Sequence, residues 1–594
     1  MIKKEVFSLL DFTYENEINI IKSKNVYAEL NNGNAYVGGP DKSSIARAYS
    51  LFAYEYGKSG KDFKIEQNAA FKNRGVMLDV SRNGVIRVDK LKKYIAYLAA
   101  HGLNILLLYM EDTYQVPGYE HFGYMRGRYS IDELKEIDDY GFEMGVEVIP
   151  CVQFLGHMRQ YLRWQETNEF KDTDDILMIG EEKTYKFIEA AVGSLRKSLR
   201  TDKIHIGMDE AHNVGLGNYL AKNGFKNRFN LMNEHLSKDL EIFNNNNFKP
   251  MMWSDMFFRL GSATGDYYDD GWVTPKDIIA DIPDVDMVYW DYYHEKKDDF
   301  LSMIKKHRLL QKNIIFAGGV WMWDGFLPNN AYTLKSMVPA MEACIDEGIE
   351  TIFLTAWEDD GCETNHFMSL PGLSVLSEYC FRGKAVREED IREFSAFITK
   401  MDYDAVDAMS DFHNGEIGDV KPGKRYIWSD FLYNLTDYKT DYEKMEKRFF
   451  EAYKVLENKD GKHRKLYKYA ALLLKLAYKK SLFLRTLREE YIKNNRGYLE
   501  EACRKILPEF KADYIKLHKL HKEQWLDMYK PFGWEVLDGR YAAMEARAAY
   551  AAERISDYLD GKINIIEELE EKPLFQEKPI WGDFANMTCT SLVR

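Results

Sequence analysis

Two adjacent carboxylates, Asp209 and Glu210, are the residues of this chain whose types and placing most clearly indicate chemistry. They follow the short apolar stretch 203–207, which predicts a buried strand that ends at a glycine. An ionised carboxylate that is taken out of water costs roughly several kcal/mol unless another group compensates it. We therefore interpret the pair as lying where a strand leaves the core and meets a cleft. The alternative is a helix N-terminus with acidic residues in its first turn.

Eight short apolar runs between residues 75 and 385 alternate with segments of helical periodicity. The runs are 76–80, 104–109, 146–150, 204–207, 250–254, 287–290, 314–318 and 351–355. Eight strand–helix units over roughly 310 residues predict a (β/α)₈ barrel. Enzymes with this fold hold their reactive side chains at the carboxyl ends of the strands, so the residues that follow each run are the site candidates.

Carboxylates and Trp side chains recur after these runs, and Arg74 flanks the first of them. The other candidates are Glu111, His157, Trp253, Trp290, Tyr292, Trp321, Trp357 and Asp359. Aromatic rings cover the apolar faces of sugars, whereas carboxylates and Arg bind their hydroxyl groups. The composition of the predicted strand ends therefore favours an exo-acting sugar pocket.

The remaining sequence predicts two flanking domains, so the fold class is α/β with an added helical part. Residues 1–70 alternate strand-like pieces with one helical segment and predict a small α/β domain, and residues 71–385 form the barrel. Residues 386–594 are poor in glycine and rich in Lys, Glu, Leu and Tyr, which predicts an all-helical domain. An apolar face on one of these helices would serve a homodimer or pack on the barrel.

Bulk composition limits the classes of partner and the compartment. A net charge of −14 argues against a nucleic-acid or anionic-membrane surface. Six scattered cysteines with no CxxC spacing predict free thiols rather than a thiolate metal site. The first apolar run ends at Leu10, and no run approaches the ~20 apolar residues of a membrane span. We therefore expect a cytoplasmic protein without a metal ion or cofactor.

Three motifs resemble those of glycoside hydrolase family 20, the β-N-acetylhexosaminidases, in a divergent bacterial branch. Residues 205–210 are similar to the family's His-x-Gly-Gly-Asp-Glu, with Met208 in place of the second glycine. Residues 74–82 look like the strand-one motif, whose first Arg, here Arg74, holds O3 and O4 of the sugar. Gly156-His157 is similar to the Pro-Gly-His that follows strand three, with Leu155 in place of Pro.

The chain departs from the family pattern after strands seven and eight. The family's Tyr for the acetamido oxygen is missing from Trp321-Met322-Trp323-Asp324, and Tyr292 or Tyr293 after strand six is the substitute. Asp359 matches the ligand of O4 and O6, with Glu358 and Glu363 as alternatives. The resemblance also implies that Glu111 and His157 support the catalytic acid, although His157 also fits an ordinary hydrogen-bonded loop residue.

The resemblance implies retaining hydrolysis of terminal β-linked GlcNAc or GalNAc from glycans or glycoconjugates. The substrate's acetamido oxygen would attack the anomeric carbon and form an oxazolinium ion, with Glu210 as general acid and base and Asp209 as its ionised partner. Two alternatives stay open: a metal-dependent barrel hydrolase that uses His157, His205 and Asp209, and a non-catalytic sugar-binding barrel. The sugar preference, the linkage, the aglycone and the oligomeric state also stay open.

Overall fold

The computed structural model describes residues 1–413, 422–433 and 442–572. Twelve strands lie within these residues. They are β1 (Ile18–Lys22), β2 (Val26–Asn31), β3 (Asn34–Gly39), β4 (Phe63–Gln67), β5 (Asn73–Asp79), β6 (Ile105–Met110), β7 (Glu147–Val152), β8 (Lys203–His205), β9 (Lys249–Trp253), β10 (Asp286–Trp290), β11 (Ile314–Gly319) and β12 (Thr351–Ala356).

Helices occupy most of the rest of the described chain. Those up to residue 399 are α1 (Ile2–Leu9), α2 (Lys42–Ser59), α3 (Val88–His101), α4 (Ile131–Met144), α5 (Arg159–Leu162), α6 (Glu182–Ser198), α7 (Asn218–Asn223), α8 (Arg228–Asn245), α9 (Asp255–Arg259), α10 (Lys276–Ala280), α11 (Lys297–Arg308), α12 (Asn330–Asp346), α13 (Leu370–Arg382) and α14 (Glu388–Thr399). Those that follow are α15 (Tyr403–Ser410), α16 (Pro422–Trp428), α17 (Tyr442–Leu456), α18 (Arg464–Ile492), α19 (Arg496–Glu501), α20 (Leu507–Met528), α21 (Trp534–Leu559) and α22 (Glu567–Glu570).

Strands β5 to β12 close into an eight-stranded parallel barrel, which confirms the predicted fold. Every residue of β6 and β11 is buried, as expected for parallel strands that are covered on both faces. The register sets the ends of neighbouring strands level, with Asp79 opposite Tyr109 and Cys151 opposite His205. Side chains that follow different strands are thereby brought to the same end of the barrel.

The strand-to-helix units have local signals at their boundaries. Helix α4 begins with a capping box in which the Ser130 hydroxyl accepts from the backbone N–H of Glu133 and the Glu133 side chain accepts from that of Ser130. It ends at Gly145, which adopts φ 79°, a conformation that glycine reaches without strain. The next strand, β7, starts two residues later, so the chain turns sharply back into the barrel.

The N-terminal residues form the expected small α/β element. The four strands lie in the order β1-β3-β2-β4, and helix α2 packs on this sheet. Arg47 of α2 forms a buried ion pair with Glu378 of α13, 2.8 Å between Nη2 and Oε1. The guanidinium of this fully buried pair makes further hydrogen bonds, because the Ser377 hydroxyl and the His101 carbonyl also accept from Arg47.

The chain divides into two compact units. The first comprises residues 1–320, 333–357 and 370–399, and so contains the N-terminal sheet and all eight barrel strands. The second comprises residues 321–332, 358–369 and 400–594, and its described elements from α15 onwards are helical. The segments that follow β11 and β12 thus belong to the second unit.

Five cysteines are free and buried in the described residues, namely Cys151, Cys344, Cys362, Cys380 and Cys503. Cys589 lies outside the described residues. Among the helices of residues 1–413, 422–433 and 442–572, none combines the length and the apolar character needed to cross a membrane.

Candidate active site

The backbone after β8 turns sharply to present the two carboxylates. Gly207, Met208 and Glu210 all have positive φ values, 71°, 71° and 49°. Only glycine fits at 207, because a Cβ there would lie 2.0 Å from Oε1 of Gln153. The same Oε1 accepts from the Met208 N–H at 3.3 Å, and Nε2 of Gln153 donates to Oδ1 of Asp209 at 2.9 Å. Gln153 therefore fixes both the turn and the first carboxylate.

His157 lies between the two carboxylates. Its Nε2 is 3.1 Å from Oδ2 of Asp209 and 3.6 Å from Oε2 of Glu210. Burial alone would lower the pKa of His157, but the Asp209 charge and hydrogen bond raise it to about 9. Burial likewise would raise the pKa of Asp209, but His157 and Gln153 hold it well below its usual range. The pair is therefore an imidazolium and a carboxylate at neutral pH.

The two carboxylates differ in exposure. The side chain of Asp209 is 10% exposed, whereas that of Glu210 is 42% exposed. An ionised, clamped Asp209 suits a fixed negative charge, and the more open Glu210 suits a group that exchanges protons with a ligand.

A second cluster joins the ends of β5 and β6. Nε of Arg82 is 3.6 Å from Oε1 of Glu111 and 3.8 Å from Oδ2 of Asp79. The Tyr109 hydroxyl donates to Oε1 of Glu111 at 3.0 Å and accepts from Nε2 of Gln153 at 3.2 Å. Burial raises the pKa of Glu111 against the opposing effect of the Arg82 charge. Gln153 thus links this cluster to Asp209 through Tyr109.

Four of the predicted aromatic residues lie near these clusters. The Arg82 guanidinium lies over the Trp357 ring at 4.5 Å, and Nε1 of Trp357 donates to the Tyr292 hydroxyl at 3.1 Å. Tyr292 stacks on Trp290, and Trp253 packs 6.1 Å from Trp357. Tyr292 is buried whereas Tyr293 is half exposed, so Tyr292 is the one of the two substitutes that lies among the rings of the site.

The structure does not bring Arg74 to this end of the barrel. Arg74 is the second residue of β5, whereas the site lies beyond Asp79, the last one. Its buried guanidinium donates to the carbonyls of Gly102, Phe71 and Lys72 and lies over the Phe381 ring. Arg74 also precedes the predicted run 76–80, so the sequence pattern already placed it at the amino end of the strand. Its expected role came only from the resemblance, and the second arginine of the motif, Arg82, is the one that lies in the site.

Trp321 and Asp359 belong to the second unit, and their predicted places in the pocket stay predictions. The Trp321 ring packs against Trp323 and Tyr332, both at 4.5 Å, and Asp359 is half-buried.

Glu363, an alternative to Asp359, is fully engaged within the second unit. Lys424 and Arg540 form ion pairs with its carboxylate at 2.8 and 3.1 Å, and Nε1 of Trp428 donates to it at 2.7 Å. Its role is thus that of a buried anchor among helices. Glu358, the other alternative, is also buried, with Oε1 3.5 Å from Nδ1 of His366.

Within the part of the chain that the structure describes, two groups of side chains place atoms of metal-ligand type within 4.8 Å of one another. One is Glu358, Cys362 and His366 in the second unit, where the His366 Nδ1 also lies 2.8 Å from the Tyr529 hydroxyl. The other is His157 with Asp209 and Glu210, where the distances are those of ion pairs. His205, which the metal-hydrolase alternative required, uses Nδ1 to accept from the Gly207 N–H at 3.1 Å.

Four residues of the site were not among the predicted site residues: Arg82, Gln153, Asp255 and Arg259. Arg82, Gln153 and Asp255 stand directly after predicted strands, where the site candidates were sought, but they were not chosen. Arg259 lies one helical turn beyond Asp255. Nothing in the sequence distinguished Arg259 from the basic residue of any short helix.

The fold and the site define a glycoside hydrolase barrel, in which adjacent carboxylates and aromatic rings meet at the carboxyl ends of the strands. Residues 71–281 match the family model described as the glycosyl hydrolase family 20 catalytic domain, and residues 399–584 match the Glycoside Hydrolase 20C C-terminal domain. The chain belongs to glycoside hydrolase family 20.

Individual relatives are distant. A chitooligosaccharidolytic β-N-acetylglucosaminidase of Bombyx mori is 27% identical over 175 residues, which span 27% of this chain and 28% of that protein. A β-hexosaminidase of Akkermansia muciniphila is 27% identical over 168 residues, 23% of this chain and 34% of that protein. The chain thus matches about a third or less of the length of these curated relatives.

The likeness to solved structures extends over more of the chain. The structure of a Flavobacterium johnsoniae chitobiase is similar over 96% of this chain and 89% of that one, with a TM-score of 0.52 and 14% identity. At this level of identity the likeness establishes the fold alone.

Proposed function

We propose that this chain is an exo-acting, retaining β-N-acetylhexosaminidase that uses the substrate's own 2-acetamido group as the nucleophile. The observation that carries the proposal is the adjacent pair of Asp209 and Glu210 around His157. The named relatives act as β-N-acetylglucosaminidases or hexosaminidases, which supports the same substrate class here.

Adjacent carboxylates favour substrate assistance over a protein nucleophile. Neighbouring Cα atoms lie roughly 3.8 Å apart, so the two side chains leave from one point of the backbone. Ordinary retaining glycosidases place their carboxylates on opposite sides of the sugar, about 5 Å apart. A pair that approaches from one side suits one acid and one orienting charge, and the substrate then supplies the nucleophile.

Glu210 acts as general acid and then as general base in this proposal. It gives its proton to the leaving glycosidic oxygen while the acetamido oxygen closes on the anomeric carbon. In the second step it takes a proton from the water that opens the oxazolinium ion. Its 42% exposed side chain is accessible to both the aglycone and water.

Asp209 stays ionised throughout and orients the acetamido N–H. Its depressed pKa supports this role, because a carboxylate that remains charged can balance the positive oxazolinium ion. Glu111 supports the site through Tyr109 and Gln153, which reach Asp209 by hydrogen bonds.

Arg82 replaces Arg74 as the proposed ligand of the sugar hydroxyls. It is 23% exposed, lies over the Trp357 ring and is held by the carboxylates of Asp79 and Glu111. A planar guanidinium offers several donors to neighbouring hydroxyl groups, which an ammonium group cannot copy. Trp253, Trp290 and Trp357 are the proposed walls of the pocket, and Tyr292 is the proposed ligand of the acetamido oxygen. Trp321 as a wall and Asp359 as the ligand of O4 and O6 stay predictions of the resemblance.

The substrates proposed are glycans or glycoconjugates with a terminal β-linked GlcNAc or GalNAc. The cytoplasmic location and the homodimer also stay predictions. The proposal is tested by initial rates of the wild-type chain and Glu210→Gln on an aryl β-GlcNAc glycoside and on a β-linked disaccharide. Turnover of both by the wild type, with loss on the disaccharide in the variant, is expected. Absence of wild-type turnover on every β-N-acetylhexosaminide would contradict it.

A further inference from the structure

Asp255 and Arg259, on the helix α9 that follows the neighbouring strand β9, contact the proposed catalytic acid Glu210. Oδ2 of Asp255 accepts from the backbone N–H of Glu210 at 3.1 Å and from Nε of Arg259 at 3.0 Å. Nη2 of Arg259 lies 3.5 Å from Oε1 of Glu210. One buried carboxylate thus holds both the backbone of Glu210 and the cation that faces its side chain.

The backbone of Glu210 needs such a support. Its φ of 49° lies in the left-handed region, which a residue with a side chain rarely adopts unless its surroundings impose it. The Asp255 side chain is fully buried, and its second oxygen, Oδ1, has no hydrogen-bond partner among the described residues. A buried carboxylate with one unpaired oxygen lowers the stability of the fold, and packing alone does not explain why it is there. Its two contacts, to the Glu210 backbone and to Arg259, therefore indicate a role in holding Glu210.

Arg259 is itself fixed in place. Its Nη1 donates to the Gly265 carbonyl at 3.3 Å, and its guanidinium lies 5.9 Å from the ring centroids of Tyr267 and Trp290. The side chain is 17% exposed, so it is shielded from water more than Glu210 is. An arginine held by one carboxylate, one carbonyl and two rings cannot easily follow a moving partner, and Glu210 is therefore the group that is oriented.

We propose that Asp255 and Arg259 are positioning residues that hold Glu210 in place for both of its proton transfers. The inference rests on the proposed function, because it needs Glu210 as the acid. When Glu210 gives its proton to the glycosidic oxygen, it becomes a carboxylate and Arg259 stabilises that charge. When water then attacks the oxazolinium ion, its proton goes to Glu210 and the acid is restored. Arg259 keeps its own protons in both steps.

Several other charged groups face Glu210, and they set the background for any pH effect. They are Asp209 on its own segment, His212 two residues on, His157 from the segment after β7, and Asp255 with Arg259 from α9. Of these, His157 and Arg259 are the cations whose atoms lie within 4 Å of the Glu210 carboxylate. Removal of Arg259 therefore leaves His157 as the one cation within 4 Å of this carboxylate.

The test is the pH profile of kcat/KM on a β-linked disaccharide, whose leaving oxygen needs a proton, for the wild type, Arg259→Gln and Arg259→Lys. Because the acid must be protonated in the free enzyme, activity is lost on the alkaline side of the profile. Loss of the positive charge 3.5 Å from Oε1 makes the ionised form of the acid less favourable, so the alkaline limb of Arg259→Gln should move to higher pH. Arg259→Lys keeps the charge and should stay close to the wild-type limb.

Steady-state constants on a β-linked disaccharide separate positioning from binding. We expect Arg259→Gln and Asp255→Asn to lower kcat about 10-fold or more, as misplaced general acids do, while KM changes little. The matched control is Arg200→Gln, which also removes one positive charge. Arg200 lies just before the amino end of β8, where it forms an ion pair with Asp138 of α4. The alkaline limb and the kcat of this variant should equal those of the wild type.

The outcomes distinguish this inference from the proposed function. If the wild type is active and Glu210→Gln inactive, but Arg259→Gln keeps its alkaline limb and its kcat within twofold, the positioning role is overturned and the function stands. A large rise in KM with unchanged kcat would instead make Arg259 a sugar ligand and also overturn the inference. Circular dichroism of each variant shows whether it is folded. If Asp255→Asn does not fold, Arg259→Gln, at a partly exposed position, still tests the positioning role.

Discussion

The ion pair between Asp209 and His157 allows a quantitative prediction for Asp209→Asn. Burial lowers the pKa of His157, but the charge and hydrogen bond of Asp209 outweigh it and raise the pKa from 6.5 to about 9. One pKa unit corresponds to about 1.4 kcal/mol, so the site favours the imidazolium by about 3 kcal/mol. Without the Asp209 carboxylate, burial, which is the largest effect, and the Arg82 charge still lower the pKa of His157, and the weaker effect of the Glu111 charge still raises it. We therefore expect His157 in Asp209→Asn to titrate at or below 6.5.

The assay is an NMR titration of the histidine ring protons, with His157 assigned by its loss in His157→Gln. Asp112→Asn is the control, because Asp112 is also buried beside the site but pairs with Arg126 at 3.4 Å. That variant should leave the His157 titration unchanged. A His157 pKa in Asp209→Asn within half a unit of the wild-type value would refute the electrostatic account of the pair.

The raised pKa of His157 also determines how the stability difference between the wild type and Asp209→Asn changes with pH. The folded-state pKa of His157 is raised, so its contribution is complete below about pH 6.5 and is lost as the pH rises through about 9. The free-energy difference of unfolding between the wild type and Asp209→Asn should thus be larger at pH 6 than at pH 10. Equal differences at both values would contradict the assignment.

Three further predictions concern catalysis. Glu210→Gln should lower turnover of a natural disaccharide by about 10²–10⁴-fold, with a smaller loss on an aryl glycoside whose leaving group needs no proton. Arg82→Ala and Arg82→Lys should both raise KM for the sugar, whereas Arg74→Lys, at the other end of the same strand, should change stability but not KM. The reverse pattern in steady-state kinetics would show that Arg74, not Arg82, binds the sugar. A chelator and a reductant should leave the rate unchanged, and loss with EDTA that a divalent ion restores would favour the metal-hydrolase alternative.

The barrel was predictable because its signal repeats. Each of the eight predicted runs overlaps one barrel strand, since parallel strands buried on both faces read as short apolar runs. The long helices were also predictable, as α18 and α21 cover the two strongest helical patterns of the C-terminal part. The N-terminal sheet was recognised only in outline, although the polar and apolar residues of β2 and β4 alternate as in a half-buried strand.

The site was predictable where the chemistry lies next to a strand end. Asp209, Glu210 and His157 come together as expected, because the register of β7 and β8 brings their carboxyl ends level. Arg74 was misplaced because its role was taken from the resemblance, although it precedes the run 76–80 and enzymes with this fold hold their reactive side chains at the carboxyl ends of the strands. The pair of Asp255 and Arg259 could not be foreseen, since only the three-dimensional fold brings α9 against Glu210.

The most direct test of the central claim compares matched aryl β-glycosides that differ only at C2. If the acetamido group is the nucleophile, the wild-type chain should hydrolyse the β-GlcNAc glycoside and turn over the β-glucoside at least about 10³-fold more slowly, because an intramolecular nucleophile is worth many orders of magnitude in effective concentration. Comparable kcat/KM on the two glycosides, or a glycosyl ester trapped on a carboxylate of the protein, would contradict substrate assistance.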